Sequence, residues 1–166
     1  ASFNQDALTE ASKLLSNILM FVGGSSGSTA GGVKTVTMGL VVLSAVSTMR
    51  GRRQVTVFRR SISQQYISNA VSVALLVLGL SLFGAAVLTV CDRCSFLNAI
   101  YETTSALCTV GLTTGITGTL CAASKLILIV FMFFGRVGIM TIGVGFMMGD
   151  RARERVQYAE TKVMIG

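Results

Sequence analysis

The sequence predicts an all-α integral membrane protein, and composition, charge distribution and an internal repeat all support this fold class. Of the 166 residues, 52% are hydrophobic and 13% are charged, whereas soluble domains carry about 25% charged residues. No Asp, Glu, Lys or Arg occurs within residues 14–33, 61–91 or 103–124. A helix that crosses a bilayer needs about 20 predominantly apolar residues, so these stretches predict a multi-pass protein of the plasma membrane.

The positions of the basic residues predict the orientation in the membrane. Five arginines lie within residues 50–60 and three within residues 151–155, and the chain is expected to cross the membrane twice between these clusters. By the positive-inside rule, residues 50–60 and the C-terminus face the cytoplasm, and the nearly neutral segment 91–96 faces outward. Phe58 is the one aromatic residue among the first arginines. Topology therefore explains the net charge of +7 better than nucleic-acid binding does.

The four cysteines carry little functional information. Cys91 and Cys94 have the C-x-x-C spacing, but the chain has neither a second such pair nor a histidine to complete a zinc site. An outward-facing disulfide and a pair of free thiols remain the two alternatives for this pair. Cys108 and Cys121 lie in apolar surroundings, where a cysteine usually serves as a small hydrophobic residue. We expect no resident metal ion and no covalently bound cofactor.

Four hydrophobic blocks define the order of the helices. The first covers about residues 9–22 and has a helical pattern, whereas the second, residues 33–49, is too short to span the bilayer comfortably. The third block, about residues 63–90, is long enough to span. The fourth, about residues 122–148, would be roughly 40 Å long as a helix, and it carries Arg136 near its middle.

The segment between the third and fourth blocks has the layout of a re-entrant pore loop. Residues 96–108 can form a helix of about three turns, which is too short to cross the bilayer, and residues 109–118 are rich in Gly and Thr. Non-helical backbone at membrane depth is tolerated only where it is buried in protein or lines a water-filled cavity. We therefore expect this segment to line such a cavity.

An internal repeat relates the two ends of the chain. Residues 8–23 (LTEASKLLSNILMFVG) and residues 120–135 (LCAASKLILIVFMFFG) are identical at eight of sixteen positions, at an offset of 112 residues. Duplicated units are common in membrane transporters, so the chain is interpreted as one complete unit preceded by the end of an earlier one. The same offset places residues 23–32, GGSSGSTAGG, level with residues 135–144 in the middle of the fourth block.

The first candidate for chemistry is TVGLTTG, residues 109–115. Glycine lets backbone carbonyls face a common axis, and a ring of such carbonyls can replace the water shell of a potassium ion. An ordinary Gly/Thr loop is the alternative. The short helix before the segment and the spanning helices on either side favour an ion filter.

The second candidate is GGSSGSTAGG, which approaches the phosphate-loop motif G-x-x-x-x-G-K-[ST]. Val33 displaces the lysine by one residue, and the preceding segment has a helical rather than a strand pattern. Close packing of helices through small residues would need one or two glycines rather than five in ten. A helix broken at mid-membrane explains the segment better, because its unwound backbone can meet an ion or move aside for it.

Lys34 and Arg136 are charges at or near membrane depth, where ionisable side chains are costly and usually face the protein interior or a water-filled path. Lys34 can extend toward an interface, whereas Arg136 follows ten uncharged residues and precedes thirteen. The repeat places Arg136 level with the start of the glycine-rich segment, whose freed carbonyls its five N–H donors could bond. We hypothesise that Arg136 restrains a gate.

In their fixed order, these motifs resemble the Ktr/Trk/HKT potassium transporter superfamily, and in particular its bacterial KtrB-type (NtpJ-like) translocating subunits. The resemblance covers the whole chain and rests on FVGGSSGSTAGGVKT, MRGRRQVTVFRR, FLNAIYETTSALCTVGLTTGIT, MFFGRVGIMTI and ETKVMIG. Such subunits are built from four repeats around one pathway, each with a first membrane helix (M1), a pore loop and a second membrane helix (M2). The chain corresponds to roughly the last third of such a subunit.

The resemblance implies a division of the chain into parts of two repeats. Residues 1–62 would be M2 of the third repeat, with a glycine-rich intramembrane loop at 23–32 and a cytoplasmic basic link at 50–62. Residues 63–166 would be the complete fourth repeat. Its parts would be M1 at about 63–90, a pore helix at about 96–108, the filter at 109–113, M2 at about 122–148 and a cytoplasmic tail at 149–166.

The resemblance also implies roles for single residues. Gly111 would be the filter glycine of the fourth repeat, and backbone carbonyls along the ion path would come from Thr109, Val110, Gly111 and Leu112. The gate-associated charges would be Lys34 and Arg136. The gate loop would consist of Gly23, Gly24, Ser25, Ser26, Gly27, Ser28, Thr29, Ala30, Gly31 and Gly32.

The expected function is passive, gated transport of potassium, with or without sodium coupling, and not catalysis. The resemblance further implies a homodimer in the lipid bilayer, bound to a cytoplasmic nucleotide-binding regulatory ring of the KtrA type. With one of four filter segments visible, the chain alone is not expected to form a selective pore. The alternatives are a non-conducting membrane scaffold and, because of the near-match to a phosphate loop, a soluble nucleotide-binding protein.

Overall fold

The computed structural model of the chain describes residues 5–25, 31–51, 56–57 and 60–137, and α-helices make up most of this part. Short 3-10 turns at Gln5–Ala7 and Ile116–Gly118 precede the first and last helices. The five α-helices of the described ranges are α1 (Glu10–Phe21), α2 (Thr35–Met49), α3 (Gln64–Asp92), α4 (Phe96–Leu107) and α5 (Ala122–Val137). The fold is helical, as the sequence predicts.

Helix α3 has the length and apolar composition of a membrane-spanning segment. Its 29 residues make it the one helix within the described ranges that passes this test, and α2, with 15 residues, is apolar but shorter. The helix extends to Asp92, slightly beyond the 63–90 expected from the hydrophobic block. It ends where Arg93 adopts a left-handed backbone conformation with φ 50°, a common way to terminate a helix.

Helix α4 lies at the centre of the described structure. It contacts α1, α3 and α5, and every residue of 101–108 is buried. Its polar side chains reach neighbouring segments: the Thr103 hydroxyl donates to the Ser81 carbonyl of α3 at 3.1 Å, and the Tyr101 hydroxyl donates to Gln5 Oε1 at 3.2 Å. Neighbouring segments therefore supply hydrogen-bond partners to these two buried side chains.

Gly84 allows α3, α4 and α5 to approach one another closely. A Cβ atom at this position would overlap the Phe131 ring of α5 and would lie 3.0 Å from Cγ2 of Thr103 on α4. Both neighbours are themselves buried. The absence of a side chain at Gly84 is therefore a packing requirement of the point where these helices meet.

Helices α1 and α5 begin 112 residues apart, which is the offset of the internal repeat. Their first turns are also capped alike. The Ser12 N–H donates to Thr9 Oγ1 at 3.3 Å, and the Ser124 N–H donates to Cys121 Sγ at 3.5 Å. The two helices differ at their ends, because α1 stops after 12 residues whereas α5 continues for 16 within the described part of the chain.

The basic link between α2 and α3 contains two short antiparallel strands that the hydrophobic pattern did not predict. They are β1 (Thr56–Val57) and β2 (Arg60–Ser61), with Thr56 opposite Ser61. The second half of the predicted M2 segment and the predicted tail, residues 138–166, lie outside the described residues, as do residues 26–30 of the predicted gate loop.

Candidate functional site: residues 109–112 at the end of α4 and a glycine-rich loop

The chain turns back over the end of α4 as it enters the predicted filter. The Thr109 N–H donates to the Ala106 carbonyl at 3.2 Å, and the Val110 N–H donates to the Ser105 carbonyl at 3.0 Å. These bonds use carbonyls that would otherwise be unsatisfied in the last turn of the helix. We call residues 109–112, which contain the predicted filter carbonyls, the filter segment. Its first two residues are thereby attached directly to the C-terminus of α4.

The backbone of this segment adopts unusual conformations. Thr109 has φ 54° and Gly111 has φ 82°, both in the left-handed region. Glycine enters this region readily, but for a residue such as threonine it costs of order 1–3 kcal/mol. Thr109 therefore needs contacts that hold it in place, and residues held in this way are frequent at ligand-binding sites.

The end of the filter segment is also attached to α4. The Ser105 hydroxyl donates to the Leu112 carbonyl at 2.5 Å, so this oxygen faces the helix. The Val110 side chain is 42% exposed, and Gly111 is exposed as well. The structure thus places the four predicted filter residues, Thr109 to Leu112, in one turn that crosses the C-terminus of α4.

Glu102 holds the loop that follows the filter, a role that the sequence motifs did not reveal. Its Oε1 accepts hydrogen bonds from the Thr113 hydroxyl at 2.5 Å, the Thr114 N–H at 2.9 Å and the Thr114 hydroxyl at 3.2 Å. Its Oε2 accepts from the Thr117 hydroxyl at 3.1 Å. An acidic residue in a short predicted helix between two long apolar blocks was the available signal, because ionisable groups at membrane depth usually have a function.

The ends of the glycine-rich loop lie side by side. Val22 and Val33 form a parallel bridge, and the Gly23 N–H donates to the Val33 carbonyl at 2.8 Å. The Thr35 N–H at the start of α2 donates to the Gly24 carbonyl at 3.2 Å. The loop therefore leaves α1 and enters α2 at nearly the same point.

Gly31 connects this loop to the filter segment. Its N–H donates to Thr109 Oγ1 at 2.8 Å. A Cβ atom on Gly31 would lie 2.9 Å from that oxygen and 3.1 Å from the Cys108 carbonyl oxygen, and one on Gly32 would lie 2.8 Å from Cys108 Sγ. Gly32 also has φ 77°. Glycines are required here because the loop backbone packs directly on the end of α4.

Helix α5 packs on the same end of α4 through Gly135. A Cβ atom at this glycine would overlap the Leu107 carbonyl oxygen. The predicted gate charge Arg136 is the next residue, and its side chain is exposed in the last turn of α5. The other predicted charge, Lys34, is half-buried and immediately precedes α2.

The electrostatics of this region suit a cation. The C-terminus of an α-helix carries a partial negative charge, and the end of α4 points at the filter segment. Within the described ranges, no group of three or more His, Cys, Asp or Glu side chains could hold a metal ion. The helix dipole at the end of α4 therefore favours a cation beside residues 109–112.

Asp92, the last residue of α3, connects this helix to the start of α5. Its Oδ1 accepts from the Cys121 N–H at 2.6 Å, and its Oδ2 accepts from the Ser124 hydroxyl at 2.5 Å. Cys91 and Cys94 nearby are free thiols, so the structure contains no disulfide between them. Burial raises the pKa of the Cys94 thiol, which lies in the turn between α3 and α4.

Comparison with known proteins identifies the family. Residues 1–153 match the TrkH family, described as cation transport proteins. The chain is 35% identical to the Ktr system potassium uptake protein B of Bacillus subtilis (strain 168), over 100% of the chain and 38% of that protein. It is also 35% identical to the potassium/sodium uptake protein NtpJ of Enterococcus hirae, over 96% of the chain and 36% of that protein.

A further relative, the Ktr system potassium uptake protein D of Bacillus subtilis (strain 168), is 32% identical over 100% of the chain and 37% of its own length. The chain thus spans well under half of the curated relatives it matches. The family match nevertheless covers most of the chain, and the relatives align along nearly all of it. The chain belongs to the TrkH family of cation transport proteins, which places it in the membrane.

Proposed function

We propose that the chain is part of the translocating subunit of a gated potassium uptake system and that it is not an enzyme. The observation that carries this proposal is the contact between Gly31 and Thr109. It joins a glycine-rich loop to a segment with filter-like backbone at the end of a buried helix. The names of the relatives, potassium uptake proteins and a potassium/sodium uptake protein, support potassium as the ion.

We assign the ion path to the backbone carbonyls of Thr109, Val110 and Gly111. The partial negative charge at the C-terminus of α4 would favour a cation at this place. The Leu112 carbonyl accepts a hydrogen bond from Ser105, so we give Leu112 the different role of closing the segment onto the helix. The complete filter would need equivalent segments from the other repeats of the subunit.

We assign the gate to the glycine-rich loop, residues 23–32, because the backbone at Gly31 and Gly32 packs against the start of the proposed filter. Opening of the path would require the hydrogen bond between the Gly31 N–H and Thr109 Oγ1 to break. Lys34 and Arg136 would limit this movement, since Arg136 follows the residue of α5 that packs on the same end of α4. The half-buried position of Lys34 before α2 is consistent with this role.

The proposed subunit also has a defined topology and assembly in the membrane. Residues 1–62 would form M2 of the third repeat and residues 63–166 the fourth repeat, a division supported by the equal starts and caps of α1 and α5. The link at residues 50–60 and the C-terminus would face the cytoplasm. The word "system" in the names of two relatives supports a multi-component assembly. We propose a homodimer on a nucleotide-binding regulatory ring.

The test is potassium uptake by the full-length subunit in a bacterial strain that lacks its own uptake systems. The wild-type subunit should restore growth at low potassium. Gly111→Ser should lower the preference for potassium over sodium by about tenfold or more, because serine disfavours the left-handed backbone on which the filter carbonyls depend. The ratio of initial uptake rates of the two ions measures this preference.

Gly118→Ser is the matched control, since Gly118 belongs to the same loop, has open space for a Cβ atom and lacks a positive φ. It should retain the wild-type ratio. Failure of the wild-type subunit to restore growth would refute potassium uptake. An unchanged ratio in Gly111→Ser would refute the filter assignment.

A further inference from the structure

A buried carboxylate lies behind the proposed filter, on the side of the pore helix. Glu102 is 5% exposed, and both of its oxygens accept hydrogen bonds from residues 113–117. We propose that Glu102 is a positioning residue for ion selectivity, which fixes the loop after the filter and thereby the position of the Gly111 carbonyl. This inference rests on the proposed function, because it takes residues 109–112 to be the filter.

The hydrogen bonds of Glu102 indicate that the loop after the filter must be held in one position. A carboxylate oxygen accepts hydrogen bonds, and all the groups that face Glu102 from the loop can donate: the hydroxyls of Thr113, Thr114 and Thr117 and the N–H of Thr114. Four donors thus converge on the two oxygens of one side chain. A carboxylate is costly to bury, so its use here is explained if the loop must be held firmly.

Glu102 acts on the filter through the residues at its end. The Thr113 hydroxyl, which donates to Glu102, also accepts from the Gly115 N–H at 2.9 Å. The preceding residue, Leu112, is attached to Ser105 through its carbonyl. Helix α4 therefore holds two consecutive residues after Gly111, one through Ser105 and the other through Glu102.

Gly111 itself has little direct support. Apart from Gly111 itself and its two chain neighbours, no atom of the described structure lies within 4 Å of the point where its Cβ would stand, and its φ of 82° sets it apart from regular secondary structure. On its other side, Val110 is bound to α4 through its N–H. The position of the Gly111 carbonyl thus depends on the attachments before and after it. Loss of the attachment at Glu102 leaves the side after Gly111 held by Ser105 alone.

A looser Gly111 carbonyl should change ion preference more than it changes ion passage. Selectivity depends on the distance and field that carbonyl oxygens present to the ion, whereas passage requires only that the path stay open. A carbonyl that can move inward can also coordinate the smaller sodium ion. Substitution of Glu102 should therefore admit sodium while potassium uptake continues.

The experiment measures potassium and sodium uptake by the full-length subunit with Glu102→Ala or Glu102→Gln, at equal amounts in the membrane. The Ala variant removes every bond to the loop and leaves the Thr114 N–H without its partner, so the potassium-to-sodium ratio should fall by about tenfold. The Gln variant retains an oxygen that can accept from Thr113 and Thr114, and its ratio should lie between those of Ala and wild type. A residue that only stabilises the fold would alter the amount of protein and not this ratio.

Thr103→Val is the matched control on the same helix. Its buried hydroxyl donates to the Ser81 carbonyl of α3 and makes no contact with the loop after the filter. This variant should lower stability and leave the potassium-to-sodium ratio unchanged.

Thr113→Val tests the same contact from the loop side, because it removes one of the donors to Glu102. Combined with Glu102→Ala it should add little further loss, because the two residues act through one contact.

Amide hydrogen exchange gives a readout that does not depend on transport. The Thr114 N–H should exchange faster in Glu102→Ala than in wild type. If wild type shows no potassium uptake, the proposed function fails. If wild type prefers potassium and both Thr113→Val and Glu102→Gln keep the wild-type potassium-to-sodium ratio, the inference about Glu102 is overturned. The proposed function would still stand in that case. A lowered ratio in these variants together with a normal ratio in Thr103→Val supports it.

Discussion

Both the backbone and the side chain of Thr109 are constrained. Its backbone is left-handed, with φ 54°, and its hydroxyl oxygen accepts a hydrogen bond from Gly31 across 78 positions of sequence. A threonine keeps this backbone only when its surroundings hold it there. The contact with Gly31 is one of the restraints that do so, and it also fixes the glycine-rich loop.

Thr109→Val should increase potassium uptake by the full-length subunit. Valine keeps the branched shape of threonine but removes the acceptor for the half-buried Gly31 N–H, and loss of such a hydrogen bond costs about 0.5–1.5 kcal/mol. The closed position of the loop would lose that stabilisation, so the initial uptake rate at limiting potassium should rise by up to about tenfold. Thr109→Ser keeps the hydroxyl and should remain near the wild-type rate. Equal rates for the Val and Ser variants would contradict a gating role for this bond.

At the level of residues, the sequence could identify glycines but not their partners. Gly31 and Gly32 stand out because five glycines lie within ten residues between two apolar blocks. That Gly31 contacts Thr109 depends on how two distant segments pack, which no local pattern contains. The role of Glu102 escaped prediction for the same reason: its donors lie 11 to 15 positions further along the chain.

Helices were the elements that hydrophobic patterning predicted well. The observed α3 and α4 begin within a residue of the expected segments, because capping positions and polar flanks mark those starts. The end of α4 lies one residue before the expected position 108, whereas α3 continues two residues past the expected 90, because the left-handed residue Arg93 rather than composition terminates it. The strands β1 and β2 have two residues each, too few for an alternating pattern to show.

Gly84→Ala should destabilise the meeting point of α3, α4 and α5. The added methyl group would overlap the Phe131 ring, and overpacking of this kind typically costs about 1–3 kcal/mol. Gly79→Ala on the same helix is the control, because no described atom lies within 4 Å of its Cβ position and alanine favours a helix by up to about 1 kcal/mol. Thermal unfolding in detergent should show a lower midpoint for Gly84→Ala alone. A normal midpoint would mean that the helices can separate at this point without cost.

The molecule as a whole is expected to have distinct outer and cytoplasmic faces, and its cysteines offer a direct measurement. Cys91 is exposed at the end of α3, whereas Cys94 is partly buried and its thiol contacts the Leu88 carbonyl at 3.7 Å. Burial raises the pKa of Cys94, so a smaller fraction of this thiol is in the reactive thiolate form at neutral pH.

A membrane-impermeant maleimide added outside whole cells should therefore label Cys91 faster than Cys94. Because the pKa of Cys94 is raised, its labelling rate should continue to increase as the pH is raised above the ordinary range of a thiol. A cysteine introduced as Gly51→Cys, exposed at the end of α2, should react only after the cells are permeabilised. Outside labelling at position 51 would reverse the proposed orientation.

The family assignment follows from patterns spread over the whole chain, which is why the amino-acid sequence by itself supports it. The 112-residue repeat likewise reappears in the starts of α1 and α5. The two helices differ at their ends, because α1 stops where Val22 and Gly23 pair with the distant Val33, whereas α5 continues past Gly135, which packs on the Leu107 carbonyl. Such contacts arise between elements and leave no periodic signal.

The hydrogen bond between Gly31 and Thr109 has a thermodynamic consequence for transport. It ends on a residue whose carbonyl we assign to the ion path, so an ion bound there and the position of the loop act on the same group. Linkage is reciprocal: if opening of the loop weakens potassium binding by some factor, potassium binding must disfavour opening by that factor. Potassium bound at the proposed filter would then stabilise the position of the loop through this one hydrogen bond.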